Sequence, residues 1–397
     1  MRIGFIGLGK LGLPVALAIE SKGHTVIGYD VNPAIHKYLE NKQLPYKEMD
    51  IAPLLAVTKI KLAAIDEVIS NSDIVFMPIQ TPHDPMFEGT SQLSDERKDF
   101  DYSFLLDAIR SVVESATRQN KSTLLAVIST CLPGTYDEKI KPLLNEYVQY
   151  VYTPQFIAMG TVLNDYLDPE FSLIGVEDKA AASILSDFYM TLYDKPNITT
   201  DIITAEGIKV SYNTWITAKT VIANIWGEIS YKTGMNFDDI FKAWSLSTKR
   251  LVSTKYMQAG MSDGGGCHPR DNIAMSWLAR KLDLSHDIFE DLMYARQDFE
   301  AWHAEVAATT ARESHLPLFI LGRAFKPETN IETGSPAILM SNLTNYEHKH
   351  VDEIQGDGVY FVAVGDTKYA TGYTDKSVVI DPFGFVSHQN VIKLGRK

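Results

Sequence analysis

Gly7-Leu8-Gly9-Lys10-Leu11-Gly12 lies between an apolar run over residues 2–8, read as a strand, and a helical pattern over residues 11–21. Few folds need three glycines at that spacing in that place. The first allows a tight turn, the second lets backbone approach a ligand, and the third lets helix and strand pack closely. The N-terminal end of the helix then faces an anion such as a pyrophosphate. A second strand is expected over residues 25–29, ending at Asp30, 18 residues after Gly12 (30 − 12). A carboxylate there accepts hydrogen bonds from a ribose diol and repels a 2′-phosphate, which favours NAD over NADP. Gly7, Gly9, Leu11, Gly12 and Asp30 are therefore the expected cofactor contacts.

Further apolar runs at residues 74–78, 123–129 and 148–152 alternate with helical segments, 104–115 among them, and a βα unit follows over 172–193. Strands alternating with helices predict a parallel, doubly wound, Rossmann-like sheet over residues 1–198. Residues 204–233 hold no proline and an almost unbroken helical pattern. Thirty helical residues span roughly 45 Å, more than one small domain requires. The stretch reads as a connecting helix that opens a helical middle domain, 199–312. Strands expected at 318–321, 359–364 and 377–380 define a short C-terminal α/β domain, 313–397. The fold class is α/β, and the charged stretch 83–101 is expected to be a mobile loop.

The chain has 397 residues, 45% of them hydrophobic, so an ordinary core can be buried without metal or disulfide. The N-terminus lacks the long apolar stretch and cleavage site of a signal peptide, and no run reaches membrane-spanning length. With only two cysteines, Cys131 and Cys267, the composition fits a reducing compartment, and a cytoplasmic location is expected. A net charge of −13 argues against a nucleic-acid or anionic-membrane surface. The histidines show no metal-binding spacing, so no metal site is expected.

Gly264-Gly265-Gly266-Cys267-His268-Pro269-Arg270-Asp271 carries the chemistry. Three glycines leave the backbone open beside a thiol; a nearby cation favours the thiolate, and a carboxylate can take a proton. On chemistry alone, a structural cysteine in a flexible loop remains the alternative. Cys131 is read as packing and His268 as a local structural contact.

This stretch resembles the catalytic-cysteine motif of the UDP-glucose/GDP-mannose dehydrogenase family, where GGxC-x-P-[K/R]-D is typical. Other segments agree in order. Thr81-Pro82 resembles the family's TP, and Ser129-Thr130-Cys131-Leu132-Pro133-Gly134-Thr135 its ST-x-x-PGT. Ala205-Glu206-Gly207-Ile208-Lys209 with Asn213 resembles the AE-x-x-K…N of its long helix, and residues 321–327 the opening of its third, nucleotide-binding domain. The resemblance implies a four-electron oxidation of a nucleotide sugar at C6, most commonly UDP-glucose to UDP-glucuronate, through a thioester on Cys267. It implies that Lys209 and Asn213 stabilise oxyanions, that Asp271 handles protons and that Thr130 orients a water. It adds Thr81 and Thr130 to the cofactor contacts. It places Gln155, Phe156, Ile157, Lys209, Asn213, Arg250, Gly264 and Lys326 against the substrate, Arg250 reaching that of a neighbouring subunit. A homodimer built on the central helix follows from it as well.

Residues 153–160 align with the family's PEFL-x-E-G, yet both glutamates are replaced, by Gln155 and Met159, and Thr333 stands where the family has an arginine. An amide can position a water but cannot take its proton, so thioester hydrolysis is expected to limit the rate. Two other readings compete: a two-electron hydroxyacid dehydrogenase, which needs no cysteine in a glycine loop, and an impaired NAD- or sugar-binding protein. Without Cys267, Glu206 and Lys209 would read as a surface i,i+3 ion pair.

Overall fold

The computed structural model describes residues 1–82, 95–265, 267–327 and 329–396, which form two compact units, Met1–Thr217 and Ala218–Lys397. Most of the stretch expected to be a mobile loop, residues 83–94, lies outside the described residues.

In the first unit the strands are β1 (Arg2–Ile6), β2 (Thr25–Tyr29), β3 (Lys61–Leu62), β4 (Ile74–Met77), β5 (Thr123–Val127), β6 (Val148–Tyr152), β7 (Ser172–Val176) and β8 (Asn197–Thr200). They form one sheet in the order β3-β2-β1-β4-β5-β6-β7-β8. The first six are parallel, and the order reverses between β1 and β4, which opens a crevice at their carboxyl ends. The sheet is not parallel throughout. β7 pairs antiparallel with β6, a reversal that the apolar pattern of β7 alone does not encode.

Helices cover both faces, as a parallel sheet requires. They are α1 (Gly12–Ser21), α2 (Ala34–Asn41), α3 (Ile51–Val57), α4 (Ile65–Asn71), α5 (Ser103–Arg118), α6 (Val162–Leu167) and α7 (Lys179–Met190). Leu13, Leu17, Tyr166 and Phe188 pack on one face; Val68, Leu105, Ile109 and Tyr136 pack on the other. The long helix α8 (Ile202–Thr233) begins in this unit. A Cβ placed on Gly175 would lie 2.6 Å from Ala205 Cβ, so the glycine in β7 is what lets α8 come that close.

The second half of α8 belongs to the second unit, with α9 (Phe237–Leu246), α10 (His268–Leu282) and α11 (Ile288–Ser314). Ile225, Ile229, Ala279 and Phe289 make its helical core. Five parallel strands follow in the order β10-β9-β11-β12-β13: β9 (Leu318–Leu321), β10 (His348–Val351), β11 (Val359–Val362), β12 (Val378–Asp381) and β13 (Val391–Lys393). Among the described residues only the β9-to-β10 crossover carries an α-helix, α12 (Pro336–Leu343); the others are loops, the one from β11 to β12 holding a single 3-10 turn (Thr367–Tyr369). That economy is how so short a segment still forms a doubly wound sheet. The alanine face of α11 (Ala304, Ala307, Ala311) covers one side of it.

Candidate functional site

The glycine loop sits at the β1/β4 reversal. Gly7 has φ +105°, a conformation that side chains rarely adopt. A Cβ on Gly12 would lie 2.4 Å from the Gly7 carbonyl oxygen and 2.9 Å from Pro78, which only glycine avoids. At Gly9 a Cβ would meet nothing within 4 Å among the described residues, so this backbone faces open space. Leu11 lies at the N-terminal end of α1 with its side chain against the core. The loop therefore fits a dinucleotide pyrophosphate. Asp30 is held at its expected place: Oδ2 accepts from the Leu8 amide (2.6 Å) and Oδ1 from the Asn32 amide (2.7 Å). The carboxylate thus braces the glycine loop.

β4 and β5 are joined just beyond this loop. Thr81 Oγ1 donates to the Thr130 carbonyl (3.0 Å), and Ser129 Oγ donates to the Ile79 carbonyl (2.5 Å). Cys131 is fully buried, and burial pushes its thiol far above the ordinary range, which leaves it chemically inert.

The start of α8 ties two of these loops together. Glu206 is 0% exposed; its Oε2 accepts from the Gly134 amide (2.7 Å) and its Oε1 from the Tyr136 amide (2.9 Å). Burial raises its pKa, with the two amide bonds opposing. One turn later Lys209, 8% exposed, donates from Nζ to the Gln155 carbonyl oxygen (2.7 Å) over the Phe156 ring. Burial holds this ammonium below the ordinary lysine range. Glu206 and Lys209 therefore do not form a surface ion pair: each is buried on a separate backbone partner, because the helix face they share is covered by protein. The Gln155 side-chain Nε2 donates to the Thr153 carbonyl (3.0 Å) and to the Tyr189 hydroxyl (3.1 Å). Phe156 packs on Phe171 and Tyr212, and Ile157 on the core. Asn213 and Met159 are exposed.

In the second unit, Cys267 is exposed and immediately precedes α10. Gly264 and Gly265 pack against Phe325, and a Cβ on Gly334 would lie 2.3 Å from the Gly265 carbonyl. The cysteine loop and the loop after β9 are thus in contact. Lys326 is exposed, its ammonium over the Phe325 ring. Asp271 Oδ1 accepts from Arg270 Nε (2.9 Å) and Nη2 (2.8 Å). Arg250 is exposed on the segment after α9.

The sequence reading missed three residues of α11: Arg296 and Glu300, which hold the start of the cysteine loop, and His303, which contacts Glu300. Spaced by 4 and 3 residues, they share one helix face, and Glu300 and His303 are 0% and 1% exposed. Charged residues recurring on the buried stripe of an amphipathic helix are the signal that would have found them. Among the described residues, no group of three or more His, Cys, Asp or Glu is placed to hold a metal ion.

Two family models match the chain: "UDP-glucose/GDP-mannose dehydrogenase family, NAD binding domain" over residues 1–193, and the central domain of the same family over residues 203–295. GDP-mannose 6-dehydrogenase of Pseudomonas aeruginosa is 27% identical over 361 residues, 86% of this chain and 78% of that one. UDP-glucose 6-dehydrogenase of Rickettsia bellii is 26% identical over 355 residues, with the same coverage. The solved ternary complex of GDP-mannose dehydrogenase from Pseudomonas aeruginosa has the same fold, with TM-score 0.87 at 22% identity, covering 99% of this chain and 100% of that one.

Proposed function

We infer the reaction from a single premise: the chain belongs to the UDP-glucose/GDP-mannose dehydrogenase family and carries that family's NAD-binding domain. It is a nucleotide-sugar dehydrogenase. The reaction is the four-electron oxidation of the C6 alcohol to a carboxylate. Cys267, an exposed thiol in a glycine loop at the start of α10, is the observation that carries this reading. When bound by this domain, NAD would supply the hydride acceptor for both oxidations.

The chain's own groups divide the remaining work. Asp30 and the loop Gly7, Gly9, Leu11 and Gly12 bind the dinucleotide, with Thr81 and Thr130 beside it. The Cys267 thiolate adds to the C6 aldehyde, and the thiohemiacetal it forms is oxidised to a thioester. Lys209 and Asn213 stabilise the oxyanions, since an ammonium and a carboxamide are both donors able to meet developing negative charge. Asp271 and Thr130 serve proton transfer and water placement. Gln155, Phe156, Ile157, Arg250, Gly264 and Lys326 contact the substrate. Residues 1–198, 199–312 and 313–397 act as the cofactor, central and nucleotide-sugar domains of a cytoplasmic homodimer joined through α8.

UDP-glucose and GDP-mannose are the two leading substrates. The first is the sequence expectation, and the second is named by the relative from Pseudomonas aeruginosa. A screen of UDP-, GDP- and dTDP-sugars with NAD decides between them. One nucleotide class should give NADH formation at least tenfold above the others. No NADH from any of them would favour the impaired-binder reading, for which Gln155 and the short C-terminal domain are the support.

A further inference from the structure

The loop that carries Cys267 is held rigidly from behind. Arg296, its side chain 9% exposed, donates from Nε and from Nη2 to the Asp263 carbonyl oxygen, each at 3.0 Å, and from Nη2 to the Gly334 carbonyl at 3.0 Å. Its Nε also lies 3.2 Å from Asp263 Oδ1. One turn on, buried Glu300 accepts from the Ser262 amide at 2.8 Å and contacts His303 Nδ1 at 3.0 Å. Asp263 is thereby fixed through both backbone and carboxylate. Its other oxygen, Oδ2, faces His268 Nδ1 at 3.4 Å. His268 follows Cys267 directly, and Tyr256 flanks its ring edge-on at 6.2 Å.

Two other residues were expected near the hydrolytic water, and neither is a free imidazole or a carboxylate with both oxygens unpaired. Gln155 is an amide whose nitrogen is committed to Thr153 and Tyr189. Asp271, which serves the proton transfers of the oxidations, gives its Oδ1 to both Nε and Nη2 of Arg270. We propose that His268, oriented by Asp263, is the proton acceptor when water hydrolyses the acyl group on Cys267; this rests on the thioester reading above. A carboxylate at Nδ1 keeps the proton there and leaves the lone pair on Nε2. At 3.4 Å the pair is a charge contact rather than a hydrogen bond.

The step balances without an oxidant. Water oxygen bonds to the acyl carbon as one proton passes to Nε2. The C–S bond then breaks with its electron pair leaving on Sγ. The imidazolium gives its proton to that thiolate, and the acid product leaves as carboxylate with release of one proton. Asp263 and Arg296 are positioning residues: they act on water only through the imidazole.

Rapid-mixing measurements of NADH on the wild type, His268→Gln, Asp263→Asn and Cys267→Ser, with the active nucleotide sugar from the screen, test this. Intact-mass analysis of quenched enzyme reads the adduct. His268→Gln should keep the burst of two NADH per active site, lose about 10²–10³ in steady rate and accumulate a sugar acyl adduct on Cys267. Asp263→Asn should lose about tenfold with the same adduct. Free imidazole should speed adduct loss from His268→Gly. A wild-type steady rate without adduct in His268→Gln, or no rescue of His268→Gly by imidazole, overturns the proposal while the thioester reading stands. Cys267→Ser that still yields two NADH per sugar overturns the thioester reading itself.

Discussion

Lys209 Nζ donates to the backbone carbonyl of Gln155 at 2.7 Å, so the ammonium on α8 fixes the loop after β6. No carboxylate shares that contact, and burial alone lowers the lysine's pKa. A cation held below its ordinary pKa penalises folding while it is charged. The penalty disappears as pH rises from the depressed value toward the ordinary value of about 10.4. The wild type should therefore gain stability over Lys209→Met across that window, by denaturant titration at several pH values. Lys209→Met should also lose about 10²–10³ in turnover, as expected for an oxyanion partner. A stability difference independent of pH would contradict the buried, unpaired ammonium.

Gln155 suits its surroundings in a way the family's glutamate does not. Its amide nitrogen faces a carbonyl oxygen, which can only accept. Gln155→Glu should place a carboxylate oxygen against Thr153 and cost about 1–3 kcal/mol. Protonation supplies a donor, so the deficit should be smallest near pH 4 and grow as pH rises. Thermal melts at pH 4 to 8 read it, and a deficit that shrinks with rising pH would refute the assignment.

Asp30 accepts the Leu8 and Asn32 amides on opposite oxygens. Asp30→Ser should raise the ratio of NADP to NAD use. It should also lower the melting temperature, because two amides lose a charged partner. Kinetics with both cofactors and a melt of the same preparation check the pair. Equal use of NAD and NADP by the wild type would show that the carboxylate does not meet the ribose.

Trp215 and Ile222, 50% and 40% exposed, lie seven residues apart on one face of α8. Large exposed apolar side chains in register on a helix mark an interface. Trp215→Glu with Ile222→Glu should yield a monomer by sedimentation with the fold retained by circular dichroism. An unchanged sedimentation coefficient would contradict a subunit contact on this face of α8.

Much of the fold was legible because backbone demands show in residue type. The glycine loop, Asp30 at the end of β2 and the proline-free run that became α8 each follow from a local rule. The antiparallel turn of β7 was not legible, since strand direction is set by how the connecting segment packs. The partners of Glu206 lie 70 and 72 residues away, so local spacing suggested Lys209 instead. Arg296 was harder to read for a related reason: its hydrogen-bond acceptors are backbone carbonyls 33 and 38 residues away, so only its place on the buried face of α11 marked it.

The central claim is that two hydrides leave one carbon, the second while Cys267 holds it. NADH counted against sugar consumed, at completion with limiting nucleotide sugar and excess NAD, tests that claim most directly. About two NADH per sugar, with a carboxylate product, is the predicted result. One NADH per sugar with release of an aldehyde or ketone would contradict it.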